Sequence, residues 1–294
     1  MGRLGRGWEL AKMSLGVIKK DKEILIFPFL SLVCMGIVVT GFIGGTFLAM
    51  GNLDSLVTSD FYSLTSPTGI AAVASAYFLL YFITVYFNVA VIGCAMIRFE
   101  GGDPRVGDGF RISNRNLRSI LKWTLIAATV GMILRVIEKK FKGIGGIIAG
   151  IAGMAWSVAT FFAVPVFIYE KTSLRGAIAR SARILKQTWG EMIAGGLGLG
   201  VIFLLLGLAG IVPLILGIVI GAPLIGFIIA ISYWLVLVCI GSAADSALKV
   251  ALYRYATTGK VAPGFTEETF RRPWGKQGKP SWRATWWPMK PGEI

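Results

Sequence analysis

The run MIAGGLGLGVIFLLLGLAGIVPLILGIVIGAPLIGFIIAISYWLVLVCIGSAA, residues 192–244, contains no charged side chain. A helix that crosses the hydrocarbon core of a bilayer needs about 20 apolar residues, so this run holds two crossings, 192–218 and 222–246. Working outward, Ile24–Met50, Gly69–Ile97 and Gly143–Tyr169 are also free of charge. With a weaker segment interrupted by Lys122 and Arg135, the chain reads as six spans: 24–50, 69–97, 119–136, 144–168, 192–218 and 222–246. The totals agree. Across 294 residues, 55% are hydrophobic and only 15% charged, too few charges to clothe a soluble surface. The expected fold is an all-α, polytopic bundle of six transmembrane helices.

Charge orients it. The loop 51–68 carries Asp54 and Asp60 but no Lys or Arg, and is expected outside. The N-terminus, the segments 98–118 and 170–191 and the C-terminal tail are rich in Lys and Arg, and are expected in the cytoplasm. The expected location is the cell membrane, multi-pass, with both termini cytoplasmic. One loop disagrees. RVIEKKFKG, residues 135–143, places Arg135, Lys139, Lys140 and Lys142 on the outer side. Either it is an exception to the charge rule, or spans three and four form a re-entrant pair; the exception is favoured. The first twenty residues are too polar for a cleavable signal core, so the first span is expected to direct insertion. The formal net charge of +15 follows from this sidedness and from attraction to anionic headgroups; without a recognition module it does not indicate nucleic-acid binding.

A short phrase recurs before three spans: SLGVIK (14–19), SNRNLR (113–118) and SARILK (181–186). At 100° per residue, Ala177, Ile178, Ser181, Ala182, Ile184, Leu185 and Trp189 share one half of a helix, opposite Arg175, Arg180, Arg183, Lys186 and Gln187. Leu4, Trp8, Ala11, Leu15 and Ile18 form a similar stripe opposite Lys12 and Lys19, and Phe110, Leu117 and Leu121 oppose Arg111, Arg115, Arg118 and Lys122. Each is an amphipathic basic helix suited to the membrane interface, its apolar face in the acyl boundary and its cations at headgroups. The serine lies on or beside the apolar face, where a small hydroxyl permits close approach and can bond its own backbone. Interfacial helix, span, loop, span then repeats three times, over about 5–97, 107–169 and 174–256, within a membrane domain 1–264.

Inside the spans, Gly41–Gly45, Gly146–Gly150, Gly196–Gly200 and Gly217–Gly221 have the small-xxx-small spacing of helix contacts. Pro165 and Pro213 should kink their helices, while Pro28 and Pro223 sit near helix starts. Cys34, Cys94 and Cys239 are far apart in apolar segments and read as buried small side chains. With no histidine, imidazole bases, His-based triads and His metal sites are removed. The carboxylates do not cluster in sequence, and only Asp245 lies near an apolar segment; four residues before Lys249, it suits an interfacial ion pair. Asn88 is the most polar side chain deep in a span, set among Tyr77, Tyr81, Phe82, Tyr86 and Phe87. It suits either an interhelical hydrogen bond or a contact in a lipid-sized groove. Neither enzyme activity nor a cofactor or metal is expected.

GRGWELAK (5–12), KDKEILIFP (20–28) and ALYRYATTG (251–259) resemble a family of uncharacterised prokaryotic multi-pass membrane proteins, frequent in archaea. GAIARSARILKQTWGE (176–191) is similar to the membrane domain attached to some glycerophosphoryl diester phosphodiesterases. The resemblance implies a six-span, lipid-facing module. That family's His-dependent catalysis has no counterpart in a chain without histidine.

From residue 265 the composition shifts. Trp274, Trp282, Trp286 and Trp287 alternate with Arg and Lys among prolines and glycines. Such a tail suits contact with a membrane surface or a protein partner. The expected function is a non-enzymatic membrane protein that organises lipid or a partner complex through its basic interfacial helices. The alternative is a transporter or flippase moving an amphipathic substrate along the aromatic second span.

Overall fold

The computed structural model describes residues 3–50, 67–141 and 144–265. The loop 51–66 and the Trp/Arg tail from 266, including Trp274, Trp282, Trp286 and Trp287, lie outside them. The described residues are helical without strands: α1 (Arg3–Lys20), a 3-10 turn (Lys22–Leu25), α2 (Ile26–Met50), α3 (Pro67–Phe99), α4 (Val106–Arg115), α5 (Leu117–Lys140), α6 (Ile144–Thr160), α7 (Ala163–Tyr169), α8 (Leu174–Ala209), α9 (Val212–Val219) and α10 (Pro223–Thr258). Six segments are long and apolar enough to cross a membrane: Lys22–Gly45, Gly69–Phe99, Leu117–Lys140, Gly145–Tyr169, Leu199–Val219 and Pro223–Thr258. The third, at 24 residues, rises about 36 Å, long enough for a crossing.

Proline and glycine set the breaks. The fourth span interrupts at Phe161–Phe162, between α6 and α7, three residues before Pro165. The fifth interrupts between Ala209 and Val212, with Pro213 in the first turn of α9. A proline ring cannot continue the preceding hydrogen-bond ladder, so each kink becomes a restart. The carbonyls left at the end of α8 find new donors. Tyr233 Oη donates to Leu206 O at 2.7 Å and Trp234 Nε1 to Gly207 O at 3.0 Å. Gly210 must stay bare because the Trp234 indole occupies the space of a Cβ. At the next turn Gly221 takes a positive φ of 73°, and Gly217 and Gly226 bring the α9 and α10 backbones together. A Cβ on Gly217 would lie 2.7 Å from Gly226 Cα.

The chain divides into two compact units: Met1–Phe29, Asn88–Asn114 and Trp156–Ile294 form the first, and Leu30–Phe87 with Arg115–Ala155 the second. In the first, α1 packs on α8 and α10, α7 on α8, and α8 and α9 on α10. Its core contains Phe27, Ile92, Met96, Phe99, Phe162, Ile184, Leu248 and Tyr253, all essentially without exposed surface. Phe27 meets Phe110 edge-on at 5.5 Å and lies over Gly109, while Ile112 covers Gly93. In the second unit, Tyr77 stacks on Tyr81 at 6.3 Å, with the Arg135 guanidinium 5.7 Å from the Tyr77 ring centre. Gly131 faces the Tyr77 hydroxyl, which a Cβ would meet at 2.9 Å. Thr84 Oγ1 donates to Leu80 O at 2.9 Å and lies 3.6 Å from Met35 Sδ on α2.

Two expectations are corrected. The serine sides of the amphipathic helices face protein, while Leu117 and Leu121, expected on the same apolar face as Phe110, are exposed on α5 beyond the break at Asn116. Ser14, Val17 and Ile18 in α1, Ile112 and Ser113 in α4, and Ala177, Ser181, Ile184 and Leu185 in α8 are buried within the protein. The glycine pairs are also mostly not contacts. Gly41, Gly45, Gly146, Gly150, Gly200 and Gly221 have nothing within 4 Å of a Cβ position, and among the described members of those pairs, which leave out Gly196, another backbone closes on Gly217. The spacing records what a helix surface permits, and the fold brings no neighbour to most of these surfaces.

Candidate functional site

α3, α8 and α10 have 33, 36 and 36 residues. At 1.5 Å per residue each rises about 50 Å or more, against about 30 Å of hydrocarbon. The surplus turns at the ends of α3 and α10 and the start of α8 belong to the first unit, with α1, α4 and α7, and they carry its polar side chains.

Three aromatic residues with charged successors end the second span of each repeat: Phe99–Glu100, Tyr169–Glu170 and Tyr253–Arg254. Tyr169 and Tyr253 stack at 6.3 Å. Tyr253 Oη donates to Glu170 Oε1 at 3.2 Å, and Arg180 Nε donates to both oxygens of the same carboxylate, at 3.1 and 3.2 Å. The Glu170 charge therefore ties α8 to α10. Beside this network, Arg98 donates through Nε and Nη2 to both carboxylate oxygens of buried Asp21 and through Nη2 to Asp103 Oδ1 at 2.8 Å. This bidentate fork joins the end of α3 to the chain leaving α1, and the geometry favours arginine over lysine. Partial desolvation at the end of α3 raises the Glu100 carboxyl from its ordinary value, and the positive charge of Arg254 acts the other way. Phe265 returns to pack edge-on against Phe99 at 6.0 Å, after α10 ends at Gly259, whose left-handed φ of 70° caps it.

The residues singled out from sequence fall into three groups. Lys12, Lys19, Arg111, Arg115, Arg175, Arg183 and Lys186 are exposed, on the faces opposite the buried serines, and Arg118, expected on the same helix as Ser113, is exposed in the first turn of α5, beyond the break at Asn116. Arg180 is not one of that outer set, because it is held by Glu170. Asn88 Nδ2 donates to Ser246 Oγ at 3.4 Å, and Ser246 Oγ donates to Ser242 O at 2.9 Å, so both hydroxyl and amide are engaged in contacts between α3 and α10. Asp245 pairs with Lys249 at 2.5 Å, and the Lys249 ammonium lies 5.2 Å from the centre of the Phe161 ring.

Ser181 has a role that its sequence did not disclose. Its Oγ accepts from Phe162 N at 2.9 Å, the amide at the break in the fourth span. A buried N–H without an acceptor costs about 1–3 kcal/mol, and the hydroxyl of a neighbouring helix meets that need. The expected bond to its own backbone is replaced by a bond across helices.

Asp21, Arg98, Glu170, Tyr253 and Arg254 were not singled out from sequence, and the statement that only Asp245 lies near an apolar segment is corrected by them. The signal available was the second recurring phrase, aromatic then charged, at the close of each repeat. Among the described residues no group of His, Cys, Asp and Glu could hold a metal ion, and Cys34, Cys94 and Cys239 are free thiols.

A helical chain with six bilayer-length apolar segments, its charges gathered at the helix ends, is a polytopic membrane protein. It belongs to a family of unknown function (DUF6159), which it matches over residues 68–265, from the start of α3 to the Phe265 contact. No curated protein and no solved structure matches it.

Proposed function

We propose that the protein is a non-enzymatic, lipid-interacting scaffold or accessory subunit of the cell membrane, with both termini and the basic segments in the cytoplasm. The carrying observation is the two-sidedness of α1, α4 and the start of α8. Their serine faces are locked into the protein while Lys12, Lys19, Arg111, Arg115, Arg175, Arg183 and Lys186 stand outward. Cations at that level attract anionic headgroups by about 1 kcal/mol each. The engaged Asn88 favours packing over permeation, because its amide already bonds Ser246. The Trp-rich tail supplies a contact for a protein partner or for the membrane surface.

The test is lipid retention by the purified protein. Replacing Arg175, Arg183 and Lys186 together by Gln should lower the anionic lipid that co-purifies at low salt, with all six spans still inserted; unchanged retention removes this reading. The transporter reading, favoured by the aromatic series Tyr77, Tyr81, Phe82 and Tyr86 on α3, predicts movement of a labelled lipid between leaflets of reconstituted vesicles, abolished by Asn88→Leu. Orientation is checked by cysteine labelling on a cysteine-free background: position 56 should react with an impermeant external reagent and position 178 should not.

A further inference from the structure

The turn between α9 and α10 differs from its counterparts in the other two repeats. The segment 51–68 carries Asp54 and Asp60, and 135–143 carries Arg135, Glu138, Lys139, Lys140 and Lys142, side chains that suit emergence into water. From Met192 to Ile231, by contrast, no side chain bears a nitrogen or an oxygen. At the turn itself Ile218, Val219, Ile220 and Leu224 are 69–75% exposed, more than any other large hydrophobic among the described residues.

The backbone of the turn is closed on itself, as a segment in hydrocarbon must be. Ala222 N donates to Gly217 O at 2.8 Å and Gly221 N to Ile218 O at 3.2 Å, the paired bonds that end a helix at a left-handed glycine. Ile220 N donates to Leu216 O at 3.0 Å, and the amides of Ile225 and Gly226 both reach Ala222 O, at 3.1 and 3.2 Å. Pro223 has no N–H to satisfy. Length points the same way. Above the Asp245–Lys249 ion pair, the stretch from Pro223 to Ala244 rises about 33 Å, against about 30 Å of hydrocarbon and about 40–45 Å with headgroups included. Any tilt lowers the turn further. Tyr233 and Trp234, residue types that anchor helices at an interface, donate instead to carbonyls of α8, so nothing polar draws the turn upward.

We propose that the α9–α10 turn is an acyl-chain contact surface that ends inside the bilayer, beneath the headgroups of the leaflet away from the Asp245–Lys249 pair. Its partner is lipid hydrocarbon. It meets lipid by apolar contact and does not rest on the reading of the basic faces above.

The test uses the full-length protein on a cysteine-free background, reconstituted in phosphatidylcholine vesicles with a charged maleimide supplied on both sides, so that orientation does not enter. Lys140→Cys should be labelled in intact vesicles. Ile220→Cys should lose that labelling and react only after detergent dissolves the membrane. A bimane attached at position 220 in detergent, before reconstitution, should then be quenched by lipids carrying a nitroxide on the acyl chain and not by aqueous iodide. Labelling at 220 in intact vesicles, or iodide quenching there, places the turn in water and overturns the proposal. Protection of 220 in detergent as well, or a bimane reached by neither quencher, places protein over the turn, a second copy included, and also overturns it. If Ile220→Cys does not fold, Leu224→Cys, equally exposed on the other side of the turn, carries the same test. None of these results bears on the basic faces, which are read from lipid retention at low salt.

Discussion

The two ends of α10 are nearly equal in apolar composition and opposite in environment. From Pro223 to Val238 it turns Leu224, Ile225, Phe227, Ile228, Ile229, Leu235, Val236 and Val238 outward. From Ala243 to Tyr253 it buries Ala243, Ala244, Ala247, Leu248, Val250, Ala251, Leu252 and Tyr253, with Ser246 among them. The outward half uses bulky side chains against lipid tails. The buried half uses alanine and serine wherever another helix must come close, and brings in charge only where a partner waits. In a membrane the first half gains nothing by association, since lipid is as apolar as leucine; the second half is held by packing and by polar bonds. The network Tyr253–Glu170–Arg180 and the fork Arg98–Asp21 both lie with the buried half.

The comparison is broken most severely at Arg98. Arg98→Ala leaves the buried Asp21 carboxylate without its counter-charge, and should destabilise the protein by about 3 kcal/mol or more, measured as a large fall in Tm in detergent. A loss comparable to a surface substitution would mean that the inner network does not hold the unit together.

Glycines sharpen the contrast next. Gly226→Val drives a side chain into the α9 backbone, where a Cβ would meet Pro213 O and Gly217 Cα. It should cost about 1–3 kcal/mol, as overpacking does. Gly150→Val, at a position with open space around it, should leave Tm nearly unchanged. Equal effects at the two positions would erase the distinction between packed and lipid-facing helix surfaces.

Ser181→Ala removes the acceptor of the Phe162 N–H and should cost about 1–2 kcal/mol, with a larger loss for Ser181→Leu because the site has no spare volume. Ser181→Thr keeps the hydroxyl and should be the mildest of the three. By contrast, Arg175→Gln with Arg183→Gln and Lys186→Gln should change stability by no more than about 0.5 kcal/mol. Arg180→Gln should exceed that, because it strips Glu170 of its guanidinium. Thermal unfolding of the single and combined variants separates the outer cations from the structural one.

The smallest expected effect is on pH dependence. The Glu100 carboxyl binds its proton more tightly in the folded protein than in the unfolded chain. Its contribution is therefore present below the ordinary carboxylate pKa and is lost as pH rises through the raised value. Glu100→Gln should flatten that part of the profile of Tm against pH; an unaltered slope would show that the fold does not desolvate the group.

Much of the architecture was determined by sequence alone. Charge-free runs of bilayer length located five of the six spans, the third being a weaker apolar segment interrupted by Lys122 and Arg135, and Pro165 and Pro213 located the breaks, because both follow from local rules: transfer of apolar residues to lipid and the geometry of one ring. The recurring serine phrases marked α1 and the start of α8, while the middle one straddles the break at Asn116 between α4 and α5. Tertiary structure decided the rest. Hydrophobicity does not tell a face that meets protein from one that meets lipid, so the buried sides of the amphipathic helices and the outward glycines at 41, 45, 146 and 150 were not visible in the pattern. The partners of Arg98, Arg180 and Ser181 were hidden for a second reason. Asp21 and Arg98 are far apart in the chain, as are Glu170 and Tyr253, and only the folded distance makes an ion pair or a hydrogen bond of them.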